Sequence, residues 1–272
     1  PTMPLATFTA RRLRWRSPAK VNLCLRVVGR RADGYHMLDS VFAPIDLSDE
    51  IAVTIDGVAP NAPIVVEVRC DRDDVPTDAS NLAARAAVAL LAERGLGGTL
   101  RIEITKTIPP GTGLGGGSGN AATVLRGLAG VLALEVTEAR LTELALALGA
   151  DVPFFLVGAP ARVCGIGEDV RPISGFGELA LVVAIPPVAV STAWAFRAFA
   201  ALVPEPTAAG EEAAQLAAGM APSPGLLVND LERVVLPAFP AIADLKTCLL
   251  AGGASAAVMS GSGSAVSLRL VA

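Results

Sequence analysis

Six glycines fall within residues 109–122, PPGTGLGGGSGNAA, and they constrain what the chain on either side can become. Ahead of them, residues 99–106 read TLRIEITK, with Leu100, Ile102 and Ile104 alternating with Arg101, Glu103 and Thr105 as in a half-buried strand. Behind them, NAATVLRGLAGVLAL is rich in Ala and Leu and has helical spacing. Strand, glycine loop and helix in that order aim backbone N–H groups and a helix N-terminus at an anion. Glycine suits such a loop because it reaches positive φ and lets the backbone approach a ligand without a Cβ in the way. The segment reads as a phosphate cradle.

Other readings of the same letters stand beside this one. GTGLGG (residues 111–116) fits the dinucleotide pattern G-x-G-x-x-G, and Glu135 lies at the sequence distance of a ribose contact. Against it, Pro109 and Pro110 stand where that fold passes directly from a central strand into its turn. A Walker loop requires a lysine where this chain has Gly117-Ser118-Gly119. A plain linker is seldom framed by an amphipathic strand and an apolar helix.

With 272 residues the chain can form one large or two modest domains. Its longest apolar run, residues 179–190, is interrupted by Pro186-Pro187 and is too short to span a bilayer. No membrane partner is expected. The arginines at 11, 12, 14 and 16 are not followed by an apolar block, so no secretory leader is expected. With a net charge of −4 and no second basic stripe, nucleic acid is not expected as a partner either. Cys24, Cys70, Cys164 and Cys248 are far apart and form no C-x-x-C pair, which suits reduced thiols in the cytoplasm.

Strand-like and helix-like segments mix throughout, which points to an α+β (α/β two-layer) class. Strands are expected over residues 8–15, 21–28, 50–55, 64–69 and 181–185, with a hairpin over 161–177. Asp78-Ala79-Ser80-Asn81 reads as an N-cap region opening an expected helix to about Glu93, stopped by Gly95. A second helix follows the glycine loop to about Leu134, and a third runs from Thr137 to Leu148, stopped by Gly149. Residues 204–224, rich in Ala, Gly, Pro and Glu, read as a mobile excursion. A boundary near Gly158 divides the chain into 1–158 and 159–272.

Two further segments carry chemistry. Lysine is scarce, with Lys20, Lys106 and Lys246 against nineteen arginines, yet Lys20 opens an apolar strand in SPAKVNL. It is either a compact ammonium donor in a tight site or a side chain snorkelling at a strand end. The only tyrosine and the only histidine are adjacent, Tyr35-His36, after the turn Asp33-Gly34. They are either surface residues or a pair that stacks on a base and bonds its edge. In LGADVPFFL, Asp151 is a carboxylate in an apolar string: a turn or helix cap, or a group that orients or deprotonates a hydroxyl.

Together PAKVNL, P-x-G-x-GLGGGSGNAA and LGADVPFF, in this order and spacing, resemble the GHMP kinase superfamily. The likeness runs from about Ser17 to SGSGSAVS at residues 260–267, nearly the whole chain. It implies a two-domain GHMP kinase fold with the active site in the cleft between domains, ATP and Mg2+ as cofactors, and a small-molecule hydroxyl as acceptor. Pro109, Pro110, Gly111, Thr112, Gly113, Leu114, Gly115, Gly116, Gly117, Ser118 and Gly119 would hold the ATP phosphates. Asp151 would accept the hydroxyl proton, and Lys20 would keep Asp151 ionised and offset charge on the transferred group. The string Arg31-Ala32-Asp33-Gly34-Tyr35-His36 narrows the resemblance to members whose acceptor carries a cytidine diphosphate. Tyr35 and His36 would then meet the base, Phe196 its other face, with Trp194 a substitute, and Asn22 the polyol end. Mevalonate and homoserine kinases, and a ligand-binding member without turnover, are the alternatives. The magnesium ligands are unassigned and oligomeric state is not encoded in these motifs. One letter departs from the pattern: Gly119 stands where relatives often carry a second serine.

Overall fold

The computed structural model describes residues 11–175, 179–203 and 210–269. The chain order is β1 (Arg11–Arg30), β2 (His36–Pro60), β3 (Ile64–Cys70), α1 (Leu82–Glu93), β4 (Leu96–Thr105), α2 (Gly116–Val131), α3 (Glu138–Leu148), α4 (Val152–Val157) and β5 (Ala161–Gly165). There follow β6 (Asp169–Pro172), β7 (Leu181–Ala184), α5 (Thr192–Leu202), α6 (Glu212–Ala217), β8 (Val228–Asn229), α7 (Glu232–Ala238), α8 (Pro240–Ala251), β9 (Ala256–Met259) and β10 (Val266–Arg269). They build two compact units. The first takes Pro1–Ala19, Asp46–Pro110 and Gly115–Leu156; the second takes Lys20–Ile45, Gly111–Leu114 and Val157–Ala272.

In the first unit β4 is central, antiparallel to the second half of β2 (Glu50 opposite Thr105) and parallel to β3 (Ile64 opposite Gly98). Its alternation holds: Leu100, Ile102 and Ile104 are buried, while Arg101 and Thr105 are exposed. Against them pack α1 and α2 through Ala86, Ala87, Leu90, Leu91, Leu125 and Leu128. Small alanines let two helices lie close over one sheet face. Both expected caps are present. Asn81 Oδ1 accepts from Ala83 N–H at 2.9 Å to open α1, and Thr137 Oγ1 accepts from Arg140 N–H at 3.2 Å to open α3. Helix α2 ends at Val131 rather than 134, because Ala133 takes a left-handed φ of 48° that cannot continue a helix.

In the second unit β7, β10 and β9 form an antiparallel sheet in that order. A further ladder pairs Leu38 to Phe42 of β2 with β5, and β5 with β6, while Cys24 and Leu25 of β1 run parallel to β8. The core of this unit joins Leu25, Val27, Phe199, Leu231, Val235, Ile242, Met259 and Leu268.

Three expectations need adjustment. The strands expected at 8–15 and 21–28 are one strand, β1, within the described residues; Pro18 does not break it, since its fixed φ is compatible with extended backbone. Residues 8–10 lie outside the described residues. The first half of β2 carried no strand signal because Asp39, Ser40, Val41, Phe42 and Ala43 are all buried, which erases the alternation a half-buried strand shows. Residues 204–209 of the expected excursion and Gly177 at the end of the expected hairpin also lie outside the described residues, and Glu212–Ala217 is a short helix. Among the described residues no single helix is long and apolar enough to cross a membrane; α7 and α8 reach that length only as a pair bent by 106°.

Candidate active site

The glycine loop begins where β4 ends, and a buried carboxylate fixes its start. Asp49 accepts the N–H groups of Thr107 and Ile108, both at 2.8 Å, and pairs with Lys106 Nζ at 2.5 Å. Both side chains are almost wholly shut off from solvent, 0% exposed for Asp49 and 3% for Lys106. Beyond them Gly111, Gly113 and Gly115 adopt φ of 70°, 77° and 72°, alternate left-handed residues that only glycine takes without strain. Gly115 is the N-cap of α2 and offers no side chain to its first turn. The N–H groups that open a helix have no intrahelical acceptor, and the helix dipole adds partial positive charge there. A Cβ built on Gly116 would lie 3.0 Å from Lys106 Nζ, so an ammonium stands beside that terminus. Asp49 offsets the repulsion of two positive ends, and the remaining field suits an anion.

Beside this terminus is a cavity of about 180 Å³, lined by Asp74, Pro76, Asn81, Lys106, Gly117 and Asn120 among others. Asn81 is therefore both a wall of the cavity and the cap of α1, and its Nδ2 is held by Pro76 O at 2.7 Å. Asn120 Oδ1 is buried and has no hydrogen-bond partner among the described residues. A buried acceptor left unpaired costs free energy that a ligand donor recovers. The dinucleotide reading fails on distance. Glu135 is exposed beyond the far end of α2, whose sixteen residues put roughly 24 Å between it and the loop.

Gly119 has a different role from the glycines before it. Its N–H is spent on Gly115 O at 2.8 Å, and a Cβ there would meet Pro18 O at 2.8 Å and Ser17 Oγ at 3.0 Å. It is one point where α2 touches β1, and a serine would require that contact to shift. Ser17 Oγ, buried and without a partner among the described residues, is the hydroxyl nearest the missing one.

In the second unit Lys20 is anchored from several sides. Its N–H donates to Leu114 O at 2.9 Å, its ammonium donates to Asn22 Oδ1 at 2.6 Å, and Nζ stands 4.8 Å from the Phe42 ring centre. Asn22 Nδ2 donates to Ser40 Oγ at 3.1 Å, and Ser40 Oγ donates to Cys24 O at 2.5 Å. Burial pushes the Cys24 thiol up to about 12, so a neutral group adjoins this chain of bonds. Asn22 N–H reaches Ser260 Oγ at 3.2 Å, and Ser260 Oγ donates to Gly113 O at 3.0 Å. The two glycine turns thus touch within one unit: a Cβ on Gly113 would lie 2.0 Å from Ser260 O. Lys20 at 2% exposure is no snorkelling side chain. Asn22, at 1% exposure with Oδ1 and Nδ2 both engaged, holds Lys20 in place.

The aromatic residues meet in part. His36 and Phe196 stack at 5.1 Å between ring centres and 27° between planes. Ser191 Oγ caps α5, on which Phe196 lies, by accepting from Trp194 N–H at 3.4 Å. Trp194 itself packs edge-on against Phe239. Tyr35 is 61% exposed. His36 Nε2 is buried without a partner among the described residues, and burial, with Arg30 nearby, pulls the ring below its ordinary 6.5. Asp151, in the first unit, immediately precedes α4 and is half-buried ahead of fully buried Val152 and Phe154.

Lys106, Asp49 and Ser40 escaped sequence reasoning as site residues, whereas Ser260 lies in the C-terminal SGSG turn (residues 260–263) that the family resemblance placed at the site. Nothing local marks the pair, since Lys106 and Asp49 lie 57 residues apart.

The family model of the GHMP kinases N-terminal domain matches residues 81–159, and that of the GHMP kinases C-terminal domain matches residues 198–268. A protein of Geobacter metallireducens named 4-diphosphocytidyl-2-C-methyl-D-erythritol kinase is 43% identical over 92% of this chain and 86% of its own length. One of the same name from Symbiobacterium thermophilum is 45% identical over 91% of this chain and 87% of its own. A crystal structure of 4-(cytidine 5'-diphospho)-2C-methyl-D-erythritol kinase superposes with a TM-score of 0.73 at 37% identity, covering 94% of this chain and 90% of that one.

Proposed function

Because the chain belongs to the GHMP kinases, we propose that it transfers the γ-phosphoryl group of ATP to the 2-hydroxyl of 4-diphosphocytidyl-2-C-methyl-D-erythritol, in the non-mevalonate route to isoprenoids. The observation that carries the acceptor's identity is His36. Its buried Nε2, without a partner among the described residues and beside the Phe196 ring, offers hydrogen bonding and stacking to a base, which neither mevalonate nor homoserine possesses. Relatives at 43% and 45% identity bear the name of that kinase. The ring pair stands closed: a base between two rings needs about 7 Å, twice the contact distance of roughly 3.5 Å. Phe196 therefore yields about 2 Å as the base enters, and exposed Tyr35 supplies a further aromatic face.

Phosphoryl transfer asks the protein mainly for positioning and charge stabilisation. The N–H groups opening α2, with Lys106 alongside, bind phosphate oxygens, and the cavity walled by Asn81 and Asn120 takes the nucleoside end. At about 180 Å³ it fits one part of the nucleotide rather than the whole. Asp151 accepts the proton as the acceptor oxygen bonds to the γ-phosphorus. The bond from that phosphorus to the bridging oxygen breaks, and ADP leaves with the electron pair. Lys20, held by Asn22, offsets negative charge on the transferred group. Magnesium neutralises phosphate charge when bound with ATP. Ser118, the hydroxyl in GGGSG, is the loop side chain that would help hold an ion brought in with the phosphates. The two family models, matching residues 81–159 and 198–268, support a division near Gly158, while residues 20–45 and 111–114 group with the second compact unit.

The test is a panel of acceptors. Purified protein with ATP and magnesium should release ADP with the cytidine-bearing acceptor and not with mevalonate or homoserine. Turnover of either of those in its place overturns the assignment.

A further inference from the structure

The segment Asn229-Asp230-Leu231-Glu232 joins β8 to α7 and has no part in the chemistry above, yet three of its side chains converge on the second glycine turn and on β1. Asn229, 6% exposed, donates through Nδ2 to Met259 O at 2.7 Å and to Gly261 O at 2.8 Å. Its Oδ1 accepts from Leu231 N–H at 2.9 Å. One amide thus grips the carbonyls on both sides of Ser260. Glu232 holds the same strand end from the opposite group, accepting Met259 N–H at 2.8 Å, while its other oxygen pairs with Lys246 at 2.5 Å. Asp230 ties the segment to the strand that carries Lys20: it accepts from Arg26 Nη1 at 2.7 Å and from Val27 N–H at 2.9 Å.

What this bracket holds bears directly on Lys20. Ser260 Oγ accepts Asn22 N–H, and Asn22 Oδ1 receives the Lys20 ammonium. Next in the turn, Gly261 has left-handed φ of 55°, and a Cβ there would lie 3.3 Å from Lys20 Nζ. We propose that Asn229 is a positioning residue for the phosphoryl transfer, fixing the turn at Met259 and Gly261 so that Ser260 and Asn22 present the Lys20 ammonium in one orientation. The inference rests on the role given to Lys20 in the proposed function. It distinguishes Asn229 from ordinary core support, because its loss should alter Lys20 and turnover beyond any loss of stability.

Asn229→Asp keeps size and the acceptor for Leu231 but replaces the donor of two bonds with an oxygen facing two carbonyls. A displacement of about 1 Å in a reacting group can cost roughly 10²-fold in rate, so kcat should fall by about that factor while KM for ATP stays within about threefold. Ile242→Val, in the core of the same unit, serves as the comparison for lost stability without lost positioning. A second readout does not depend on the acceptor. With three lysines in the chain, the ε-methylene signals of 13C-lysine-labelled protein are few, and Lys20→Arg identifies that of Lys20. In Asn229→Asp the Lys20 signal should move while that of Lys106 stays, and Ile242→Val should move neither. Should Asn229→Asp not fold, Asn229→Ser, which brings no charge to bury, is read by the same two measurements. An unmoved Lys20 signal, or kcat per folded molecule within twofold of the parent protein, overturns the proposal. If the parent protein turns over no cytidine-bearing acceptor, the functional reading fails, and the Lys20 signal alone decides whether Asn229 positions it.

Discussion

Replacing Gly113 by alanine separates backbone strain from loss of site geometry. Gly113 holds φ of 77°, where an L side chain costs roughly 1–2 kcal/mol. Its Cβ would also sit 2.0 Å from Ser260 O and 2.9 Å from Ser260 C, both backbone atoms that cannot rotate away. Restoring ordinary contact at about 3.5 Å requires the two glycine turns to part by roughly 1.5 Å. That breaks or stretches the 3.0 Å bond from Ser260 Oγ to Gly113 O, and with it the support of Asn22 and Lys20. Gly219→Ala supplies the reference: its φ of 86° carries the same strain, but nothing stands within 4 Å of the added methyl. Thermal melting should therefore fall by a few degrees in both variants, since 1 kcal/mol shifts a protein of this size by about 2–4 °C. Turnover should separate them, with Gly219→Ala close to the parent protein and Gly113→Ala lower by about 10²-fold. Steady-state kinetics below both melting temperatures makes the comparison. A Gly113→Ala enzyme with kcat within twofold of the parent would refute the reasoning that contact between the two turns sets the geometry at Lys20.

Asp49→Asn leaves the Lys106 ammonium buried without its counter-charge, which should cost about 3–5 kcal/mol. Calorimetry should show melting lowered by roughly ten degrees, and pairing the change with Lys106→Met should recover part of the loss; no recovery means the pair is not what Asp49 supports. For His36, burial lowers the pKa below 6.5, so the folded protein keeps the ring neutral where the unfolded chain would begin to protonate. Its contribution is present above 6.5 and is lost as pH falls through the lowered folded value. KM for the cytidine-bearing acceptor should accordingly rise only as pH falls through that lowered folded value, while KM for ATP changes less, and His36→Ala should raise the first KM and flatten its pH dependence.

The parts legible in the sequence were those whose physics is local. Asn81 and Thr137 bond N–H groups two and three residues on, so their helices could be placed from a few letters. The alternation of β4 and the glycines at 111, 113 and 115 likewise describe themselves. Lys20 was conspicuous by its rarity, although its hold on Asn22 two residues away was not. What could not be read depends on chain ends meeting from afar. Asp49 meets Lys106 across 57 positions, Ser260 meets Asn22 across 238, and Asn229 meets Met259 across 30. Gly119 stands where relatives often carry a serine, and its contact with Pro18 O gives a packing reason for the missing side chain. Asn22, expected at the polyol end of the acceptor, has both ends of its amide engaged within the protein, which no local pattern showed.

Phosphorus NMR of the complete reaction bears most directly on the central claim. With ATP, magnesium and 4-diphosphocytidyl-2-C-methyl-D-erythritol, a new phosphomonoester signal should grow in step with ADP, leaving the diphosphate of the acceptor intact. Asp151→Asn, which keeps shape but removes the proton acceptor, should suppress that signal while ATP still binds. ADP accompanied only by inorganic phosphate, or product formed by Asp151→Asn at the parent rate, would contradict the account.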